Sequence, residues 1–137
     1  MNKHTKLAIS IDFIQIGNQA ILKMHVPQPS ITEWTLCLQL LLDRLVDRIT
    51  ITTGSHNISL SLCSESIFKI KNEKDLSIQI DTSSCNYLTT FFLKYYRDGQ
   101  GEVDHVDIET PNGDYLTFLV DSYNEPVSES EARRRLE

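Results

Sequence analysis

The chain has 137 residues and a formal net charge of −6, a length that predicts one domain with a core able to fold without staples. Its three cysteines, Cys37, Cys63 and Cys85, are widely spaced and form no Cys-x-x-Cys pair, which predicts free thiols rather than a disulfide framework or a zinc site. No apolar run is long enough for a bilayer-crossing helix, and Asp12 cuts the short N-terminal apolar alternation, so a cytoplasmic protein without a signal peptide is expected.

Residues 6–16 alternate, with Leu7, Ile9, Ile11 and Phe13 on one face. Residues 19–26 alternate again, with Ala20, Leu22, Met24 and Val26 inward, and Gly17 and Asn18 join the two runs as a β-hairpin. Pro27 and Pro29 end the pairing. Ser30 and Glu33 have the spacing of a capping box and open a helix predicted to reach about Arg48. Its inward stripe is Trp34, Leu38, Leu41, Leu42, Leu45, Val46 and Ile49. Leu36, Cys37 and Leu40 widen that stripe beyond what one sheet face needs, which requires a second helix beside it or a partner.

Four short strands follow, over residues 49–53, 57–63, 66–71 and 76–80, and their short connections predict an antiparallel meander. A second helix starts near Asp81 to Ser84 and buries Tyr87, Leu88, Phe91, Phe92 and Tyr95. It stops at Gly99, with Gly101 close behind. A closing hairpin over residues 102–110 and 114–121 turns at Pro111, Asn112 and Gly113. Residues 1–123 are thus expected to form a single α+β domain of order ββ-α-ββββ-α-ββ. A mainly antiparallel sheet would carry both helices on one face. Residues 124–137 read as an acidic, then basic, C-terminal tail.

The charge is divided along the chain. Residues 1–97 carry ten Lys or Arg against eight Asp or Glu, whereas residues 98–132 carry ten acids and no Lys or Arg. Such a surface repels nucleic acid and anionic lipid and suits a basic protein partner. Within it, His105, Asp107 and Glu109 would share one face of a strand, and Asp104 lies at its entry. That pattern admits a metal site or an acid/base pair. It lacks a recessed pocket and a remote ligand, so an exposed acidic face is the expectation, with no catalytic residue, metal or cofactor. No nucleophile elbow and no phosphate-binding glycine loop occurs.

The helix segment Phe91, Phe92, Leu93, Lys94, Tyr95, Tyr96, Arg97, Asp98 and Gly99 leads into the acidic run from Glu102 to Glu109. In that combination the chain resembles small bacterial immunity proteins, the cytoplasmic antidotes of polymorphic toxin and contact-dependent growth inhibition systems. The resemblance implies a non-enzymatic protein that binds one cognate toxin domain and blocks it. The residues themselves add an expectation: toxins that attack nucleic acid are basic, and an acidic inhibitor can occupy the same groove. Glu102, Asp104, Asp107, Glu109 and Asp114 would supply charge, with Tyr96, Tyr115 and Tyr123 as aromatic anchors. Two other readings differ in class. One is a homo-oligomeric scaffold or homodimer through the apolar first helix. The other is a metal-dependent enzyme using Asp104, His105 and Asp107.

Overall fold

The computed structural model describes residues 2–99 and 105–121. Among them the chain forms β1 (Asn2–Lys6), β2 (Ser10–Ile16), β3 (Gln19–Pro27), α1 (Ile31–Leu42), β4 (Arg48–Thr52) and β5 (Asn57–Cys63). It continues as β6 (Ile67–Ile70), β7 (Asp75–Asp81), α2 (Thr82–Asp98), β8 (His105–Glu109) and β9 (Tyr115–Asp121). The α+β class holds, and the order around the helices matches the sequence reading apart from one extra N-terminal strand. The strand expected over residues 6–16 begins only at Ser10, because Leu7 and Ile9 are buried in the link from β1. The expected tail, residues 124–137, lies outside the described residues.

The strands form two sheets rather than one. A five-stranded sheet has the order β1-β4-β5-β7-β6, and a four-stranded sheet the order β2-β3-β9-β8. Pairing is mixed: β2 with β3, β4 with β5, β6 with β7 and β8 with β9 run antiparallel, but β1 with β4, β3 with β9, and β5 with β7 run parallel, so the middle strands are not the expected antiparallel meander. In the middle of the chain β6 makes this geometry reachable. It lies at the sheet edge beyond β7, so the chain leaving β5 crosses to the edge and returns as β7 between them. An edge strand here serves as the crossover that a helix usually provides.

Each helix carries the chain from one sheet to the other. α1 links β3 to β4 and touches β3, β4 and β5, while α2 links β7 to β8 and touches β5, β7 and β8. The helices therefore pack against the inner faces of both sheets, not on one face of a single sheet. Leu22, Met24, Leu116 and Phe118 of the four-stranded sheet share one core with Ile49, Ile51, Leu60 and Ile78 of the five-stranded sheet. Trp34, Leu38, Leu88 and Phe92 of the helices complete it. Non-polar burial of this kind supplies most of the folding free energy.

Local signals succeed at α2 and fail at α1. Asp81 caps α2 by accepting from the Ser84 N–H at 3.1 Å, and Gly99 ends it in the left-handed conformation at φ 71°. Ser30 makes no capping bond, because a 3-10 turn over Gln28–Ser30 already holds it in helical geometry. Glu33 instead accepts the Thr5 hydroxyl at 3.1 Å and lies 3.7 Å from Lys3 Nζ, fastening β1 to α1. α1 ends at Leu42, short of the expected Arg48, because Arg44 takes a left-handed φ of 57°. The Leu45 N–H then donates to Leu40 O and the Arg44 N–H to Leu41 O, both at 3.0 Å, the bonding pattern of a Schellman stop. Leu45, expected in the buried stripe, is consequently exposed, as is Tyr87 of α2.

Cys37 and Cys85 are buried and Cys63 is half-buried, all as free thiols. Among the described residues no helix is long and apolar enough to cross a membrane.

Candidate functional site

Residues paired across a sheet share a face, so the outer face of the four-stranded sheet can be traced row by row. One row runs Ile14, Ile21, Tyr115, Glu109; the next Asp12, Lys23, Thr117, Asp107; the third Ser10, His25, Leu119, His105. Alternation in β3, β8 and β9 puts Leu22, Met24, Val106, Ile108, Leu116 and Phe118 on the opposite, buried face. Tyr115, Leu119, Ile21 and Ile14 are half-buried in the middle of the outer face, and Asp12, Asp107 and Glu109 are exposed around them. Among the described side chains of this face, three carboxylates thus stand against one lysine, Lys23.

Hydrogen bonds fix part of this surface. The Thr117 hydroxyl donates to Asp107 Oδ1 at 2.6 Å, and His105 Nε2 lies 3.7 Å from Asp107 Oδ2. Toward the β2 edge of the same face His25 Nε2 lies 2.9 Å from Asp12 Oδ2. Thr117 is buried despite facing outward, stands between Lys23 and Asp107 in the register, and anchors one oxygen of Asp107 through its hydroxyl. Asp107 is therefore a pre-positioned carboxylate, which lowers the ordering cost of any contact it makes.

The candidate residues separate into groups. Asp107, Glu109 and Tyr115 come together on the outer face, with Glu109 directly opposite Tyr115. Asp114 sits at their end but is engaged within the fold: its Oδ1 accepts the Ala20 N–H at 2.9 Å. The adjoining Gly113 has φ 85°, and its carbonyl accepts from Gln19 Nε2 at 3.2 Å. Tyr96 lies elsewhere, in a hollow of about 260 Å³ between the helices with Thr32, Thr35, Leu36, Gln39 and Leu93. Glu102, Asp104 and Tyr123 are outside the described residues.

Of the residues in the metal-enzyme reading, Asp104 lies outside the described residues, while His105 and Asp107 stand together on the outer face of β8. Among the described residues no group of three or more His, Cys, Asp and Glu side chains is arranged to hold a metal ion. Asp12, Lys23 and His25 belong to the outer face and were not singled out from the sequence. Their signal was present in the alternation of residues 10–16 and 19–27, but only the pairing of β3 with β9 brings them beside the acidic hairpin.

The outer face of the five-stranded sheet has different chemistry. Its rows run Thr50, Ser59, Ser77, Lys69 and Arg48, Ser61, Gln79, Ile67, a hydroxyl-rich surface with cations at its borders. Asp75 and Asp81 stand at the two ends of β7 on this same face, so its charge is mixed.

No protein-family model and no curated protein matches the chain. Among solved structures it is similar to Drosophila Suppressor of Fused, with 11% sequence identity and a TM-score of 0.47. The match covers 82% of this chain and 26% of that one, so the chain spans about a quarter of that structure's length.

Proposed function

We propose that this chain is a non-enzymatic antidote of the bacterial immunity class, which binds and neutralises a basic toxin domain in the cytoplasm. The observation that carries the reading is the outer face of the four-stranded sheet: Asp12, Asp107 and Glu109 around a half-buried Tyr115 and Leu119. An apolar, aromatic middle with a charged border is the anatomy of a protein-binding surface. The resemblance of residues 91–109 to immunity proteins supplies the class of partner. A toxin that attacks nucleic acid must be basic to hold phosphates, and the carboxylates offer its groove a rigid substitute. Complementary charge speeds the encounter, which matters for an antidote that must arrive before damage is done.

The test is capture with the tagged chain from a lysate of its native host, at low and at high salt. The expected result is one basic protein that arrests growth when expressed alone and is neutralised by co-expression of this chain. Salt weakens its capture, and Asp107→Lys with Glu109→Lys weakens it by at least about tenfold. A captured protein that is harmless, or whose binding ignores both salt and charge reversal, would overturn the reading.

A further inference from the structure

We infer that the free edge of β8 is a strand-addition site, which pairs with an extended protein segment whose basic and apolar residues alternate. The inference goes beyond the antidote reading: it concerns the main chain at the rim of the four-stranded sheet and stands whatever protein the outer face binds. β8 is the last strand of its sheet, and among the described residues only β9 pairs with it. Every second residue of an edge strand directs its N–H and C=O away from the sheet, where they form a template for another strand.

A hollow of about 300 Å³ lies along that edge. Ser83, Ser84 and Tyr87 of α2 form one wall and residues 106–109 the other. Val106 and Ile108 point into the core, whereas Asp107 and Glu109 point outward. A hollow that touches all four follows the rim of the strand rather than either face, and β9 occupies the opposite rim. Ser83 and Tyr87 are a helical turn apart, so they line up beside β8, and Tyr87 is 61% exposed. The exposure of Tyr87 thus gains a use, because its ring is a wall against which the apolar residues of an added strand can lie.

Register and charge together select the occupant. Residues directly opposite one another in paired strands share a face. An added strand therefore sets alternate residues against Asp107 and Glu109, and Lys or Arg at those places matches them. The residues between fall beside Val106 and Ile108 and meet Tyr87, where apolar side chains fit. Asp107 is anchored for this contact, since the Thr117 hydroxyl donates to its Oδ1 at 2.6 Å. The same carboxylates turn away a second copy. An antiparallel pairing centred on β8 puts Asp107 opposite the second copy's Asp107, and like charges directly opposite destabilise a strand pair. β8 has 5 residues, about 17 Å of strand, which fits a short segment of a larger partner.

The probe is acetyl-Val-Lys-Val-Lys-Val-amide, titrated to millimolar concentration into the isotope-labelled full chain and followed by amide NMR. Its binding should slow hydrogen exchange at the edge-facing amides of residues 106–109 by at least about tenfold. Two N-methylated forms, one methylated at both lysines and one at the second and third valines, block opposite edges of the probe. One should bind at least about tenfold more weakly and the other like the parent. Asp107→Lys with Glu109→Lys alters exposed side chains and should reverse the preference, so that the chain takes acetyl-Val-Glu-Val-Glu-Val-amide instead. Absence of any shift at β8 up to millimolar peptide overturns the inference. Equal binding of the two methylated forms overturns it too, since that is charge attraction without strand pairing. Capture of a basic toxin by a chain that fails these tests would uphold the antidote reading and still overturn this one.

Discussion

Trp34 of α1 stacks on Phe118 of β9, with ring centroids 6.0 Å apart and planes inclined by 28°. The same indole meets Phe92 of α2 edge-on at 5.8 Å. One side chain thus joins both helices to the four-stranded sheet, and it is fully buried. Among the described residues its Nε1 has no hydrogen-bond partner. Truncation by Trp34→Ala should cost about 3–5 kcal/mol, the range for deleting a large buried aromatic. Trp34→Phe leaves a smaller void and removes the unbonded N–H, whose burial itself costs about 1–3 kcal/mol. Urea denaturation should therefore rank the phenylalanine variant close to wild type and the alanine variant far below.

Arg44 offers a stabilising change. A left-handed conformation costs a non-glycine residue about 1–2 kcal/mol, and glycine adds back roughly 0.5–1 kcal/mol of chain entropy. Arg44→Gly should accordingly gain up to about 1 kcal/mol, seen as a higher melting temperature. A lower one would mean that the Arg44 side chain makes a contact worth more than the backbone strain.

Asp81 links β7, α2 and the segment before β6. Partial burial opposes its ionisation, but the Ser66 and Ser84 hydroxyls and the Ser84 N–H outweigh that and hold its carboxyl below the usual value. Asp75 is also lowered, by hydrogen bonds from Asn72 and Asn57. A depressed carboxyl contributes stability above its unfolded pKa of about 3.9 and loses it as pH falls through the folded value. Acid should therefore destabilise the protein below about pH 4. Asp81→Ala should cost about 1 kcal/mol at neutral pH through loss of the cap. It should also flatten the acid limb of the stability profile, and an unchanged limb would exclude Asp81 as a source.

The thiols should divide two to one. Burial pushes both Cys37 and Cys85 up to about 11, with Glu33 adding to the shift at Cys37. Cys63 is half-buried at the end of β5. In the native state a thiol reagent should label Cys63 alone, and all three cysteines after unfolding. Native labelling of Cys85 at the rate of Cys63 would contradict the packing of α2 against α1.

Signals carried by a few neighbouring residues were legible in the sequence. Asp81, Gly99, Gly113 and the alternation of β3, β7 and β9 act locally, and each marks its element correctly. What distant segments decide was not legible. The stop of α1 rests on Arg44, which no composition rule marks because glycine usually holds that position. The parallel pairing of β5 with β7 depends on β6 choosing the sheet edge, and nothing within residues 57–81 announces that choice. The acidic strand was found because its charge is contiguous. Asp12 and Lys23 were missed because they join it only through a pairing between β3 and β9. Tyr96 was grouped with the acids by sequence proximity, but helical phase turned it toward Leu36.

The pairing of β3 with β9 sets an order on how the molecule can assemble. β3 is an inner strand, and its partner on one side is supplied from residues nearly the whole chain away. Until β9 exists, a growing polypeptide holds the β2–β3 hairpin with one edge unsatisfied and Leu22, Met24 and Val26 without their facing layer. Such distant pairing slows folding and prolongs exposure of an unpaired edge. Synthesis of the last hairpin is then the event that closes the core, so a chain halted before Tyr115 would be a substrate for chaperones and proteases rather than a weaker version of the finished protein.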